Sequence, residues 1–478
     1  MDLKRESLIG LYPEHRWEIV QAQAHREVYR LVCNGEIDLY AKVNIPSGIF
    51  SRIRGVFNPN TLHEARMLKN MHASGIPVPG VEGHYRKGSA SMLITEAIEP
   101  SRHLYEIPAG LQPSVMMDMA RGLLLQGFFF TDMHPGNIII DPFGMPWLLD
   151  VYEAKEVRRI TPRHVVALFA QVISQYPMDG EKISTYLPGL CPKAGQSSMV
   201  RKIQTRAVDE KKRFVKRRIK SCIRAGSFTR RIDTRDYKAI VFKDSPIDID
   251  QIMSGHWENI QQKKGVLKYQ AKTQLSVVDE YCVKSYRSSR RFTTPYAMRS
   301  WKGLLTLYFN GISVAGPVAI IVYKDQTSAL ITRILEYPDL DRYIFHAYAS
   351  LDQRQRFFIA SGLGKTIGRM HNLHILHYDL KACNIKVEKD TPGFYFLDTD
   401  RVVQSGPISG RLKLRNLVQL NTSIPLRVSR SERMTFIRAY ADETKDAPRA
   451  TFRKVWMSSK DKGIVYCTDQ GDCFEEWS

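Results

Sequence analysis

The sequence predicts an α+β chain made of two homologous domains in tandem, and three observations carry that reading. The length, 478 residues, exceeds one ordinary core and suits two or three. Four short motifs occur twice in the same order. They are Gly75-Ile-Pro-Val-Pro79, Leu93-Ile-Thr-Glu-Ala97, Asp132-Met-His-Pro-Gly-Asn137 and Leu148-Leu-Asp150, then Gly311-Ile-Ser-Val-Ala315, Leu330-Ile-Thr-Arg-Ile334, Asp379-Leu-Lys-Ala-Cys-Asn384 and Phe396-Leu-Asp398. Their offsets grow slowly, 236, 237, 247 and 248 residues, as in a duplicated domain with insertions and unlike a solenoid of roughly 20–50-residue repeats. Strand and helix patterns, finally, follow the same order in both halves.

The elements can be taken along the chain. Glu36–Val43 and Ser276–Lys284 have strand-like patterns. Each leads, after a gap, to a helical stretch, Leu62–Met71 or Tyr296–Leu305, that stops near Gly75 or Gly311. Helical runs over Val115–Leu125 and Gln355–Met370 precede the two Asp-x-x-x-x-Asn segments. Each segment then enters a short apolar strand, Ile138–Ile140 or Ile385–Val387, and a hairpin returns to a second strand ending in aspartate. The expected domains are 1–226 and 227–440, with 441–478 an extension whose weak periodicity gives it no place.

Charge and composition bound the function. Hydrophobic content of 43% and aromatic content of 10% belong to a folded chain. The net charge of +21 favours anionic partners: phosphates, nucleic acid or an anionic membrane. Arg201–Arg235 carries 14 Lys/Arg against Asp209, Glu210 and Asp233, about half of that net charge. Val200, Ile203, Ala207, Phe214, Ile219 and Cys222 add a partial apolar stripe. The stretch reads as a domain-closing helix with a solvated basic face, one that also suits anionic lipid or phosphorylated glycan. Nucleic acid is not expected, because no recognition motif accompanies the charge. No apolar run approaches the ~20 residues of a membrane span. No apolar stretch follows Met1–Glu6, so no signal peptide is expected. The seven cysteines are scattered without a Cys-x-x-Cys pair, which suggests neither a disulfide framework nor a zinc site, and a reducing, cytosolic setting.

Phosphoryl transfer from ATP needs a carboxylate to orient the accepting hydroxyl, ligands for Mg²⁺, and a cation on the α/β-phosphates. An Asp-x-x-x-x-Asn loop offers the first carboxylate and one metal ligand, and the aspartate ending the next strand offers the second ligand. A lysine on an upstream strand, held by a helix glutamate, offers the cation. In the first half these residues are Asp132, Asn137, Asp150, Lys42 and Glu64; in the second they are Asp379, Asn384, Asp398 and Lys284. One such loop arises often by chance, whereas the ordered set of four, found twice, is specific. Taken alone, Lys42 would read as a snorkelling strand-end lysine. His134 and His377 read as loop-packing groups, and His371, His374 and His377 as packing rather than as a metal site.

With these residues the chain resembles the lipopolysaccharide core kinases, the Kdo/heptose (WaaP/InaA-type) group of protein-kinase-like enzymes. His377-Tyr-Asp-Leu-Lys-Ala-Cys-Asn-Ile385 with Phe396-Leu-Asp-Thr-Asp-Arg401 looks like that family's catalytic loop and metal-binding strand. Arg415–Asn421 and Phe436–Tyr440 look like its later helices, and Glu210–Cys222 is similar to the basic segment that closes such domains. The resemblance covers two tandem copies, about 10–225 and 228–440; the first copy's Asp-x-His-Pro-Gly-Asn also resembles atypical kinases of other families. It implies two protein-kinase-like bilobal domains, each with an antiparallel sheet plus helix in the N-lobe and a mainly helical C-lobe. It implies ATP and Mg²⁺ as cofactors, and phosphate transfer to a heptose or Kdo hydroxyl of the inner core. Asp132 and Asp379 would be the catalytic bases. Asn137, Asp150, Asn384 and Asp398 would hold Mg²⁺, and Lys42, with Glu64, and Lys284 would contact phosphates. Thr95, Glu96 and Ala97, and Thr332, Arg333 and Ile334, would lie at the adenine-facing hinges. The implied partners are a lipopolysaccharide core or lipid-linked glycan acceptor, the anionic inner-membrane surface and other envelope-biosynthesis enzymes. The implied location is cytoplasmic, peripheral to the inner membrane.

Neither copy is complete. Phe130 stands two before Asp132, where a histidine is usual, and Ser300 stands where the first copy has Glu64, leaving Lys284 without its helix partner; Asp400 is a candidate substitute acid. Neither half has a Gly-x-Gly-x-x-Gly loop before its lysine. A kinase-like scaffold that recruits envelope enzymes is therefore the rival reading. A third keeps the kinase and changes the acceptor to a protein or a small aminoglycoside-like molecule.

Overall fold

The structure is a computed structural model that describes residues 10–23, 26–46, 60–224, 226, 228–287, 293–388, 393–468 and 471–477. The Met1–Glu6 segment read above lies outside the described residues. The chain divides into two compact units, Met1–Lys211 and Lys212–Ser478.

In the first unit, β1 (Arg16–Gln23), β2 (Arg26–Cys33), β3 (Glu36–Asn44), β4 (Val81–Lys87) and β5 (Ala90–Glu96) form an antiparallel sheet of order β1-β2-β3-β5-β4. Helix α1 (Asn60–Ala73) is inserted between β3 and β4, and α2 (Gln112–Leu125) opens the helical part. Met116, Ala120, Leu123 and Leu124 on α2 fall on one helical face and are buried with Leu68 and Met71 of α1. The hairpin β6 (Ile138–Ile140) and β7 (Pro146–Leu148) and helix α3 (Pro162–Gln175) complete this core.

The second unit repeats the order with additions. Strands β8 (Thr229–Asp233) and β9 (Tyr237–Phe242) and helix α5 (Ile249–Gln262) come first, after helix α4 (Gln196–Ile223). Then follow β10 (Val266–Tyr269), β11 (Thr273–Val278), β12 (Tyr281–Tyr286), α6 (Tyr296–Phe309), β13 (Pro317–Tyr323) and β14 (Ser328–Arg333). The sheet is seven-stranded, β8-β9-β13-β14-β12-β11-β10. Because successive strand residues face opposite sides, Tyr281 and Val283 pack with Ile249, Ile252 and Met253 of α5, while Cys282, Lys284 and Tyr286 line a cleft on the other side. Helices α7 (Leu340–His346) and α8 (Gln353–Asn372), strand β15 (Ile375–His377), the hairpin β16 (Ile385–Val387) and β17 (Phe394–Phe396), and helices α9 (Gly410–Asn421) and α10 (Arg430–Thr444) build the helical part.

Two expectations are corrected and one unplaced stretch finds its place. The strand expected over 276–284 is a hairpin, because Asp279 takes a left-handed conformation (φ 51°) and turns β11 back into β12. The boundary expected at 226/227 falls at 211/212, inside α4: Ile203 and Ala207 belong to the first core, and Cys222 to the second, with Ile219 and Ile223 packed against it. The residues 441–478, left without a place by the sequence, belong to the second unit. Helix α11 (Pro448–Lys460) buries Phe452 and Val455 in the second core, and β18 (Ile464–Thr468) pairs with β19 (Gly471–Glu475). Glu475 ties this hairpin down by accepting the Leu426 N–H at 2.7 Å.

Candidate active site

Each unit gathers its predicted residues in the same way. Lys42 sits in the middle of β3, where the sheet register sets it opposite Leu93, and Lys284 sits on β12 opposite Leu330. Both are held inside by carboxylates. Lys42 donates to Glu64 of α1 at 2.5 Å and to Asp150, and Lys284 donates to Asp398. Burial alone would lower each lysine's pKa, but the groups facing it outweigh that: the Glu64 and Asp150 carboxylates raise that of Lys42, and the Tyr286 phenol and the Asp398 carboxylate raise that of Lys284. Burial likewise works against ionisation of Asp150 and Asp398, yet the cations beside them hold both below the ordinary carboxylate range. Both lysines are therefore cations and both aspartates anions.

The two Asp-x-x-x-x-Asn loops close alike. Asn137 Nδ2 donates to the Asp132 carbonyl at 3.0 Å and to its carboxylate at 3.4 Å; Asn384 Nδ2 makes the same pair to Asp379 at 2.9 and 3.3 Å. With Nδ2 committed, each asparagine keeps its amide oxygen for a metal. The aspartate after each hairpin adopts a left-handed conformation, φ 56° at Asp150 and 53° at Asp398. A short 3-10 turn follows in both units.

The departures noted in the sequence have structural answers. His377 is fully buried; its Nε2 donates to the Leu397 carbonyl at 2.8 Å, and its Nδ1 accepts the Asp379 N–H at 3.2 Å. Burial lowers its pKa, and with both ring nitrogens engaged by the backbone the ring shapes the loop, the packing role read from the sequence. In the first unit Phe130 is buried at that place, and His134 ties the loop instead by accepting the Gly136 N–H at 3.1 Å. Ser300, in place of a helix glutamate, shares a 2.7 Å hydrogen bond with the Tyr286 hydroxyl, and the Lys284 ammonium lies 5.4 Å from the Tyr286 ring centre. Asp400 acts on Lys284 through its charge. His371 hydrogen-bonds Tyr440 and Asn416, as a packing residue does.

The units differ in the space they leave. In the second, Lys284, Thr332, Arg333, Ile334, Asn384 and Asp398 all line one cleft of roughly 600 Å³. In the first, Lys42 and Glu64 line a cavity of only about 230 Å³, and Thr95, Glu96 and Ala97 are not among its lining residues. Both strands that carry the residues expected at a hinge end in the same hydrogen bond, from Ala97 N–H to Asp38 O at 2.8 Å and from Ile334 N–H to Glu280 O at 2.9 Å. Two functional candidates went unassigned in the sequence. Arg26, at the start of β2, donates to Asp150 at 2.6 Å and lines the smaller cavity. Lys381 pairs with Asp379 at 3.2 Å; its place two residues after that aspartate was a usable signal.

Residues 254–440, which contain Lys284, Asp379, Asn384 and Asp398, match the model of the family described as "Lipopolysaccharide kinase (Kdo/WaaP) family". Over that segment, about two fifths of the chain, the second unit is similar to the members of this kinase family. Among curated proteins none matches the chain. Among solved structures, a co-crystal of WbdD with the kinase inhibitor LY294002 is 20% identical over 40% of this chain and 45% of its own (TM-score 0.29). An aminoglycoside-3'-phosphotransferase of type VIII is 17% identical over 43% of this chain and 98% of its own (TM-score 0.30). The chain spans less than half the length of the WbdD structures it matches.

Proposed function

We propose that this chain is an ATP- and Mg²⁺-dependent kinase that phosphorylates a heptose or Kdo hydroxyl of the lipopolysaccharide inner core, with the second unit as its working site. The observation that carries this reading is the convergence of Lys284, Asn384 and Asp398 on one roomy cleft, inside the segment that matches the kinase family. The donor set fits the cofactors: the Asn384 amide oxygen and the Asp398 carboxylate are hard oxygen ligands suited to Mg²⁺, and Lys284 is a fixed cation for phosphate. Mg-ATP, when bound, supplies the phosphoryl group with its charge partly neutralised. Asp379 orients the acceptor hydroxyl and takes its proton. Lys381, beside it, offsets the negative charge that gathers there. With metal and nucleotide bound, Asp398 would be a ligand of the metal and Lys284 would contact the phosphates.

The test is transfer of radiolabelled γ-phosphate from ATP to dephosphorylated lipopolysaccharide core. Removing the base by Asp379→Ala should cost about 10²–10⁴-fold in turnover. Wild-type turnover in that variant, or no Mg-dependent transfer at all, would overturn the assignment. Transfer to a protein or an aminoglycoside instead would keep the kinase and change its acceptor.

One observation favours a different role for the first unit. Asp150 is already matched by two internal cations, Lys42 and Arg26, so a metal would have to displace a guanidinium. This supports a docking or substrate-gripping module there rather than a second kinase. The exposed Arg201, Lys202, Arg206, Arg213, Lys216, Arg217 and Lys220 of α4 would bring the protein to an anionic membrane surface. Among the described residues no helix is long and apolar enough to cross a membrane.

A further inference from the structure

Asp341, Cys383 and Cys467 are far apart in the sequence, yet one carboxylate oxygen and the two sulfurs lie within 4.8 Å of one another. We infer that these three side chains form a site for a thiophilic divalent cation of the zinc class. They come from three separate pieces: the first turn of α7, the 3-10 turn of the catalytic loop, and β18 of the C-terminal hairpin. Spacing rules miss such a site because they look for paired ligands close in sequence.

The donors have the chemistry of zinc and not of Mg²⁺. Two sulfurs and one carboxylate oxygen suit a soft or borderline ion, while Mg²⁺ demands oxygen throughout. Asp341 is fully buried, and the hydrogen bonds it accepts are from the N–H groups of Cys467 (2.8 Å) and Arg342 (2.9 Å). Its acidic neighbour Asp339 is matched by Lys386 at 3.1 Å. Asp472, across the hairpin, accepts from the Cys467 thiol at 3.1 Å, a hydrogen bond that gives way when the metal replaces the thiol proton. Cys383 and Cys467 also line the large cleft, which gives an entry path and leaves the fourth position to water. Coordination would release both thiol protons to solvent and staple the C-terminal hairpin to the loop that holds Asn384.

The test uses the full chain, reduced, stripped with chelator and dialysed against Zn²⁺ or Co²⁺. One equivalent of metal should remain, and Co²⁺ should give a thiolate charge-transfer band. Band and equivalent should both vanish in Cys383→Ser and Cys467→Ser, and persist in Cys191→Ser and in Asp398→Asn. Should the serine variants fail to fold, Zn²⁺ protection of Cys383 and Cys467 from alkylation in the wild-type protein reads the same site. Uptake that survives both serine variants, metal lost on dialysis, alkylation unaffected by Zn²⁺, or a Cys383–Cys467 disulfide in the reduced protein would overturn the proposal.

Discussion

Gly303→Ala tests whether helix α6 positions Asp398, the proposed metal ligand. A methyl group at 303 would lie 1.8 Å from the Thr399 carbonyl oxygen, 2.9 Å from its carbon and 3.2 Å from Val402 Cβ. Ordinary contact between heavy atoms needs about 3.5 Å, so helix and turn must part by roughly 1.5 Å. Thr399 directly follows Asp398, and its hydroxyl donates to the Ser300 carbonyl of α6 at 2.9 Å, so the shift reaches the site at once. Overpacking of this kind costs about 2–3 kcal/mol, offset by about 1 kcal/mol from alanine's better helix propensity. The net loss of about 1–2 kcal/mol should lower the melting temperature by roughly 3–6 °C. Turnover should fall further, by about 10²-fold, the effect of a ~1 Å misplacement of a reacting group. The assay pairs phosphate transfer with thermal unfolding. Gly122→Ala in α2, where a methyl meets nothing within 4 Å, is the control and should stabilise by about 0.5–1 kcal/mol. Wild-type turnover and melting temperature in Gly303→Ala would refute the reasoning.

Three further outcomes follow from the same geometry. His377→Phe, which copies the first unit's Phe130, leaves the Leu397 carbonyl and the Asp379 N–H without their partner; at about 1–3 kcal/mol each, the variant should unfold earlier in denaturant and lose at least about tenfold in turnover. Arg26→Ala in an Asp398→Ala background, where only the first unit can bind, should create a Mg-dependent ATP site measurable by calorimetry; an unchanged blank titration would show that Arg26 is not what blocks it. Asp398 has a pKa depressed in the folded state, so its stabilisation is fully present above the unfolded value of about 3.9 and is lost as pH falls below it. Asp398→Asn should accordingly flatten the melting-temperature profile below about pH 4.

Much of the site was legible because its chemistry forces residue types into a fixed order. The lysine, the Asp-x-x-x-x-Asn loop and the strand-ending aspartate recur in both halves, and in both the lysine meets that aspartate as their order suggests. Other features were invisible for stated physical reasons. Helix α5 covers the back of the sheet through long-range packing of Ile249, Ile252 and Met253, which no motif announces. The turn at Asp279-Glu280 looked like two polar residues in a strand, since only a positive φ distinguishes it from one. Helix α11 was hidden by the charges around Phe452 and Val455. Arg26 lies 124 residues from Asp150, so only the fold reveals their pairing.

The left-handed backbone at Asp150 and Asp398 has an evolutionary consequence. A non-glycine residue at φ 56° or 53° is strained, and glycine would relieve the strain. Glycine would also strand Lys284 at the one position, and Lys42 and Arg26 at the other, without the carboxylate they pair with, a larger loss than the strain it relieves. The ion pair thus holds the strained backbone in place, and a lineage that loses the lysine first would be free to lose the left-handed aspartate after it.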